Sequence, residues 1–160
     1  MDADTLRQME LALDEIGPGG GRWLLDAGAL DVNGCHRQVA TDHDWRYAGL
    51  DIMAGRNVDV VVEPYRYPFR SGSAGAVISG ATMEYVFAIW RWVPELARLL
   101  QPGGHLVLLV PHAWEEHRYP VDCWRVLPDG MRMMLEYAGL EVVRAEKHDD
   151  RFVTGIGRKR

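Results

Sequence analysis

The sequence predicts an α/β fold: a single Rossmann-like, open, mostly parallel sheet with an antiparallel C-terminal hairpin and trimmed crossover helices. Three observations carry that expectation. Five short aliphatic runs lack the polar alternation of a half-exposed strand, as strands covered on both faces do. Helical patterns or loops lie between them, the alternation that builds a parallel sheet. Two further runs at the C-terminus are separated by little more than Asp149 and Asp150, which suits a tight turn between antiparallel strands.

In chain order, residues 3–16 place Leu6, Met9, Leu11, Leu13 and Ile16 in a helical pattern. Gly17, Pro18, Gly19, Gly20 and Gly21 then stop the helix and make a pliable link. The chain therefore divides into an N-terminal helix and Gly-rich link over 1–21 and one α/β domain over 22–160, a size that suits one core. The expected strands are 22–28, 47–52, 58–63, 74–80 and 104–111, followed by 140–148 and 151–159. Helices are expected at 82–100 and 128–138, the second with Asp129 near its start and Gly139 as its stop. Pro94 breaks or kinks the first of these, or starts its second half. Trp90 and Trp92 are two apart, so at least one faces the core. Segments 34–46 and 53–57 are short for complete crossover helices.

Composition narrows the classes of function. The net charge is −5, from 18 basic and 23 acidic residues, and the one basic run is the short Arg158, Lys159, Arg160. Binding to nucleic acid or to an anionic membrane needs basic clusters, so neither is expected as a partner. The longest apolar runs are strand-sized, far below the roughly 18 residues of a membrane span. The acidic start of the chain is unlike a signal peptide, and Cys35 and Cys123 are too few for a disulfide framework. A cytoplasmic protein with free thiols is expected.

The stretch "WLLDAGALDVNG", residues 23–34, reads as a buried strand running into a loop with a glycine and acids. A dinucleotide fingerprint needs G-x-G-x-x-G so that the backbone can approach a pyrophosphate. Here Gly28 is followed by five residues with side chains before Gly34. That argues against a diphosphate cradle and against a nicotinamide-dependent oxidoreductase, while leaving room for a cofactor without phosphate. Asp26, Asp51 and Glu63 stand at the ends of three successive strands. A carboxylate at the second strand's tip can accept from both ribose hydroxyls, and one at the third from an exocyclic amine. A purine ribonucleoside fits this set better than a dinucleotide.

These residues resemble the class I S-adenosylmethionine-dependent methyltransferases, of the small type that acts on diverse metabolites and glycans. The resemblance spans about residues 22–145. "LLDAGALDVNG" looks like the family's first motif, "YAGLDI" like the second, and "VVVEPYRYPF" like the stretch ending in Leu-Pro-Phe. "AGAVISGATMEYV" is similar to the fourth strand with its Leu-Glu-His continuation, and "LARLLQPGGHLVLLVP" to the Leu-x-Pro-Gly-Gly turn into the fifth. The resemblance implies S-adenosylmethionine as cofactor, held by Asp26, Gly28, Asp51, Ile52, Glu63 and Ser79, with Asp51 on the ribose and Glu63 at the adenine. Three positions depart from the pattern. Pro64 follows the adenine acid, Gly75 stands where an Asp is usual, and Tyr85 stands where a His is frequent.

Methyl transfer is a displacement in which the protein supplies alignment and desolvation. The densest chemistry lies in "PHAWEEHRYPVDCWR", after the fifth strand and thus on the acceptor side. His117 and His112 are candidate general bases, since a neutral imidazole is available near neutral pH. His117 is favoured because "HRYPVDCWRVLPDGM" resembles a segment of one subgroup. Asp122 and Arg125 either serve a polar acceptor or form an ion pair that fixes the loop. Trp124 and Tyr119 are candidates to contact the acceptor, and Trp124, like Trp114, can equally pack a lid. His112, His117, Asp122 and Cys123 fit no closed zinc pattern, so no metal is expected. The subgroup resemblance implies a small-molecule or glycan acceptor and methylation on oxygen. The other class of function weighed is a methyltransferase-like binding or scaffold module without catalysis, motivated by the trimmed crossovers, Pro64 and Gly75.

Overall fold

The computed structural model describes residues 3–148 and 150–160. Its centre is a seven-stranded sheet of β1 (Trp23–Ala27), β2 (Arg46–Asp51), β3 (Val60–Val61), β4 (Ala74–Gly80), β5 (Leu100–Pro111), β6 (Leu140–Lys147) and β7 (Phe152–Lys159). The order is β3-β2-β1-β4-β5-β7-β6. The first five strands run parallel, and β7 pairs antiparallel with both β5 and β6. The chain reverses direction of growth between β1 and β4, so their carboxyl ends open a crevice where such sheets bind ligands.

Side-chain parity sorts the core into two layers. On β5, Leu106, Leu108 and Val110 face α3 (Ile89–Leu99) and α4 (Pro128–Tyr137). Val107 and Leu109 face the other way, onto α1 (Ala3–Ile16) and α2 (Arg37–Asp42). Every residue of β4 is buried, which is why its run shows no alternation. On the second face, Met9, Ala12 and Leu13 of α1 pack with Leu24, Ile78 and Val107 of the sheet. Burying a Leu or Met of this size is worth about 1.5–3 kcal/mol, so Met9 and Leu13 seat the helix firmly. Ion pairs from Arg151 to Asp4 and from Arg144 to Glu15 fasten it to the hairpin at 2.8 and 3.2 Å.

Several local expectations change. The helix expected over 82–100 is a 3₁₀ turn at Met83–Tyr85 followed by α3. The interruption has a cause: side chains take the main chain of residues 86 and 88. Trp124 Nε1 donates to the Val86 carbonyl at 2.7 Å, and the Ala88 N–H donates to the Tyr65 hydroxyl at 3.2 Å. Pro94 lies inside α3, which continues through it. The third strand shrinks to two residues because Asp59 turns aside, its carboxylate accepting the Gly49 N–H at 2.7 Å. The β5 strand begins at Leu100, before the Pro-Gly-Gly turn, with a register shift opposite Ala74–Ala76. Residues 34–46 hold the six-residue α2, and 53–57 hold no helix. Of the two tryptophans, Trp92 is buried with its N–H on the Tyr67 hydroxyl at 2.9 Å, and Trp90 is exposed. Asp149 of the expected turn lies outside the described residues.

The glycine at 75 also has a physical reason. A Cβ there would stand 2.8 Å from the Trp45 ring, which is buried with Arg22 stacked over it. A carboxylate at this place would need that packing undone. Among the described residues no helix is long and apolar enough to cross a membrane. Cys35 and Cys123 are both free thiols.

Candidate active-site cleft

The carboxyl ends of β1, β2, β4 and β5 open into two adjoining cavities of about 240 and 580 Å3. Both touch Gly28, Leu30, Val32, Ala81, Tyr85 and Tyr119, so they form one continuous cleft. The smaller lies on the β2 side, over Asp51, Ile52, Val62 and Tyr67. The larger lies on the β5 side, against Glu84, Trp114, His117 and Phe152.

On the β2 side, Asp51 is the organising group. Its two oxygens accept the main-chain N–H groups of Leu30 at 3.1 Å and Met53 at 3.0 Å. A carboxylate offers about four acceptor sites, so lone pairs stay available for two hydroxyls. Around it Leu30, Val32 and Val62 give an apolar slot suited to a purine. Gly28 sits at the floor with φ +85°, and a Cβ there would meet the Thr82 side chain at 2.2 Å. Only glycine lets β1 and the turn after β4 close on each other here. This side therefore fits an adenosyl group: an acid for the ribose, apolar walls for the base and bare main chain beyond.

Asp26, Ser79 and Glu63 are placed elsewhere. Leu25 and Ala27 point to the α3 layer, so parity sends Asp26 to the α1 layer. There it is 1% exposed, accepting from the Tyr47 hydroxyl at 2.6 Å and meeting His36 Nδ1 at 2.9 Å. Ser79 is also buried and donates to the Ala27 carbonyl at 2.6 Å, tying β4 to β1. Glu63 is exposed and lines neither cavity, because the chain turns at 63–66. Their neighbours Gly28, Val62 and Gly80 line the cleft instead.

On the β5 side, the loop 112–125 is pinned onto the turn after β4. The Cys123 N–H donates to the Glu84 carbonyl at 2.7 Å, beside the Trp124–Val86 bond. Arg125 binds both oxygens of Asp122, at 2.6 and 2.7 Å, and donates to the carbonyls of Trp114 and Glu115. The Asp122 side chain is 1% exposed, and its pairing with Arg125 holds the carboxyl down at about 2. Of the two readings open in the sequence, the pair is thus the one that fixes the loop, and neither residue lines the larger cavity. Trp124 packs edge-on against Trp90 and lines a different hollow, with Arg125. Tyr119 lines both halves of the cleft. His112 lines neither.

His117 does face the larger cavity. Asp122 accepts its main-chain N–H at 2.7 Å, and its ring Nδ1 lies 2.9 Å from the Glu115 carbonyl. A carbonyl only accepts, so Nδ1 carries a hydrogen there, with the Arg125 guanidinium 3.5 Å away, and Nε2 is the ring nitrogen turned toward Glu84. Nε2 lies 4.0 Å from Glu84 Oε1. Glu84 is the residue that sequence reasoning passed over. It is 1% exposed yet lines the cavity, and its Oε2 meets no hydrogen-bond partner among the described residues. Burial pushes its carboxyl up to about 7, against the pull of Arg125 and with help from the Asp122 charge. Its signal was its place in "ATMEYVF", the stretch similar to the family's Leu-Glu-His continuation, where the acid itself was given no role. Tyr85 stands edge-on to His117 and Tyr119, with its hydroxyl raised to about 12 by burial.

The fold and this cleft define an α/β protein built to hold an adenosyl cofactor beside a second, side-chain-rich chamber. Residues 15–108 match the family described as "Methyltransferase domain". The chain belongs to that family, within the class I S-adenosylmethionine-dependent methyltransferases. The solved structures agree in fold. A Burkholderia thailandensis 1,6-didemethyltoxoflavin-N1-methyltransferase, solved with 1,6-didemethyltoxoflavin and S-adenosylhomocysteine, is 14% identical with a TM-score of 0.81, over 99% of this chain and 79% of that one. A SAM-dependent methyltransferase from Aquifex aeolicus is 16% identical with a TM-score of 0.73, over 99% and 98%. The [4+2]-cyclase SpnF is 16% identical with a TM-score of 0.75, over 95% and 80%. The last is named for another reaction, so likeness of this degree speaks for the fold alone. No curated protein sequence matches the chain.

Proposed function

We propose that this methyltransferase acts on a hydroxyl group of a small molecule or glycan, with His117 as the base. The observation that carries this reading is His117, which lines the acceptor side of the cleft with Nδ1 engaged by the Glu115 carbonyl and Nε2 turned toward Glu84. Asp51 would hold the ribose of S-adenosylmethionine, with Gly28, Leu30, Ile52 and Val62 around the rest of the adenosyl group. When bound, that cofactor supplies a methyl group activated by a positively charged sulfur. The chain's residues then align the acceptor, exclude water and take a proton. Trp114, Tyr119 and Phe152 offer aromatic faces against which a ring or a sugar face can lie. The acceptor's O–H gives its proton to His117 Nε2, which becomes an imidazolium opposite Glu84. An amine acceptor needs only to be neutral, so a placed base is of more use to an oxygen nucleophile. Two free thiols suit a reducing compartment, and we place the reaction in the cytoplasm.

The test is transfer from S-adenosylmethionine to a panel of hydroxylated and amine acceptors, read by mass spectrometry. Products methylated on oxygen, with kcat reduced about 10²–10⁴-fold in His117→Gln, support the reading. Products methylated only on nitrogen, or an unchanged kcat in that variant, would overturn it.

A further inference from the structure

We propose that Glu84 and His117 act as one proton-accepting pair, in which the buried Glu84 carboxylate balances the imidazolium formed when His117 Nε2 takes the acceptor's proton. The inference rests on the oxygen-methylation reading above and adds a residue to it. In the step, the acceptor's O–H bond would break with its proton ending on Nε2, an oxygen–methyl bond would form, and the methyl–sulfur bond would break with its electron pair left on the departing, neutral sulfur of S-adenosylhomocysteine. Glu84 acts through His117 and is a positioning residue.

Three features support the pair independently of any titration. Glu84 Oε1 is the carboxylate atom facing Nε2, at 4.0 Å, and burial to 1% keeps water from screening the two charges. Glu84 Oε2 has no partner among the described residues, a costly state for a buried carboxylate. Such orphaned acids mark sites where charge is wanted during a reaction. Finally, Arg125, the nearby cation, is spent on Asp122 and on the carbonyls of Trp114, Glu115 and Trp124, and stands on the Nδ1 side of the His117 ring, 3.5 Å away. Glu84 is thus left to answer a cation that appears only when His117 is protonated.

The groups facing the pair are Asp122 and Arg125 from the loop, Tyr85 from the turn after β4, and Arg118 and Tyr119 at the cavity wall. Arg118 is bonded to Glu116 at 2.6 Å and is mostly exposed, so its influence is screened. Asp122 and Arg125 carry opposite charges and stay charged throughout the neutral range. The Tyr85 hydroxyl stays neutral there. The charge that changes near neutrality in this group is therefore that of Glu84, whose Oε1 lies 4.0 Å from Nε2.

The experiment uses the whole chain with 13C-labelled glutamate. Carboxyl NMR without cofactor should show Glu84 titrating near pH 7, and His117→Gln should move that midpoint. A midpoint that moves by less than about 0.2 units would overturn the pair, since interacting sites must titrate together. Kinetics with an oxygen acceptor form the second arm. Glu84→Gln should lower the plateau kcat about 10–100-fold with KM within about two-fold, and shift the acid limb of kcat/KM to lower pH. Glu84→Asp should recover part of the plateau. A raised KM with intact kcat would overturn the pair and make Glu84 a binding group. Coupled midpoints together with products methylated on nitrogen would sink the oxygen reading while leaving the pair standing.

Discussion

On the β2 side of the cleft, Asp51 is held by two main-chain N–H groups, from Leu30 and Met53. On the β5 side, Asp122 is held by a guanidinium that also binds two carbonyls of its own loop. One acid is positioned by the course of the backbone, the other by a neighbouring side chain. Backbone placement follows from the strand order and the turn after β1, so many sequences can supply it. Side-chain placement needs Asp122, Arg125 and Glu84 together. The family match covers 15–108, which includes both Asp51 and Glu84, and stops before the loop 112–125.

That contrast can be broken by substitution. The largest effect is expected from Arg125→Met, which leaves the Asp122 carboxylate buried without its partner. Stability should fall by about 3 kcal/mol or more in denaturant unfolding, while S-adenosylhomocysteine affinity stays within about three-fold. A parallel loss of cofactor affinity would mean the halves are not separable. Next in size, Asp51→Ala should raise the calorimetric Kd for S-adenosylhomocysteine at least about 30-fold, some 2 kcal/mol, with the Tm of the free protein nearly unchanged.

The two acids of the acceptor half should also leave opposite marks on stability against pH. Glu84 has its carboxyl raised to about 7, so folding favours its protonated form. Its contribution is full below the ordinary value of 4.5 and disappears as pH rises through about 7. A loss on the order of 2 kcal/mol is expected over that window, absent in Glu84→Gln. Equal slopes in both proteins would remove Glu84 from the account. Asp122 is lowered to about 2, so its contribution is present above 3.8 and lost as pH falls toward 2. The smallest effect is expected from Glu63→Gln. An exposed acid lining neither cavity should alter cofactor Kd less than about two-fold, although the motif resemblance assigns it to the adenine.

The strands were readable because both faces of β4 and β5 are buried and write continuous aliphatic runs. The place of Asp51 was readable too, since the apolar run of β2 ends on it at the carboxyl edge of the sheet, where the cleft opens. Asp26 and Ser79 stand two and one residues from the cleft-lining Gly28 and Gly80, and both side chains are buried in the sheet. Their motif positions carried no sign of that. The split of 82–100 depends on Tyr65 and Trp124, distant in the chain, capturing the main chain at 86 and 88. No local pattern encodes such a contact. His117 was found through its segment, whereas Glu84 was hidden in an apolar stretch, and only burial gives it its properties.

The first helix bears on more than the core. Thr5 lines the larger cavity, four residues before Met9 enters the apolar layer beneath the sheet. Contact with a bound molecule there would be available only while α1 is docked. The cavity wall at Thr5 is therefore only as firm as the seat that Met9, Ala12 and Leu13 give the helix against the sheet.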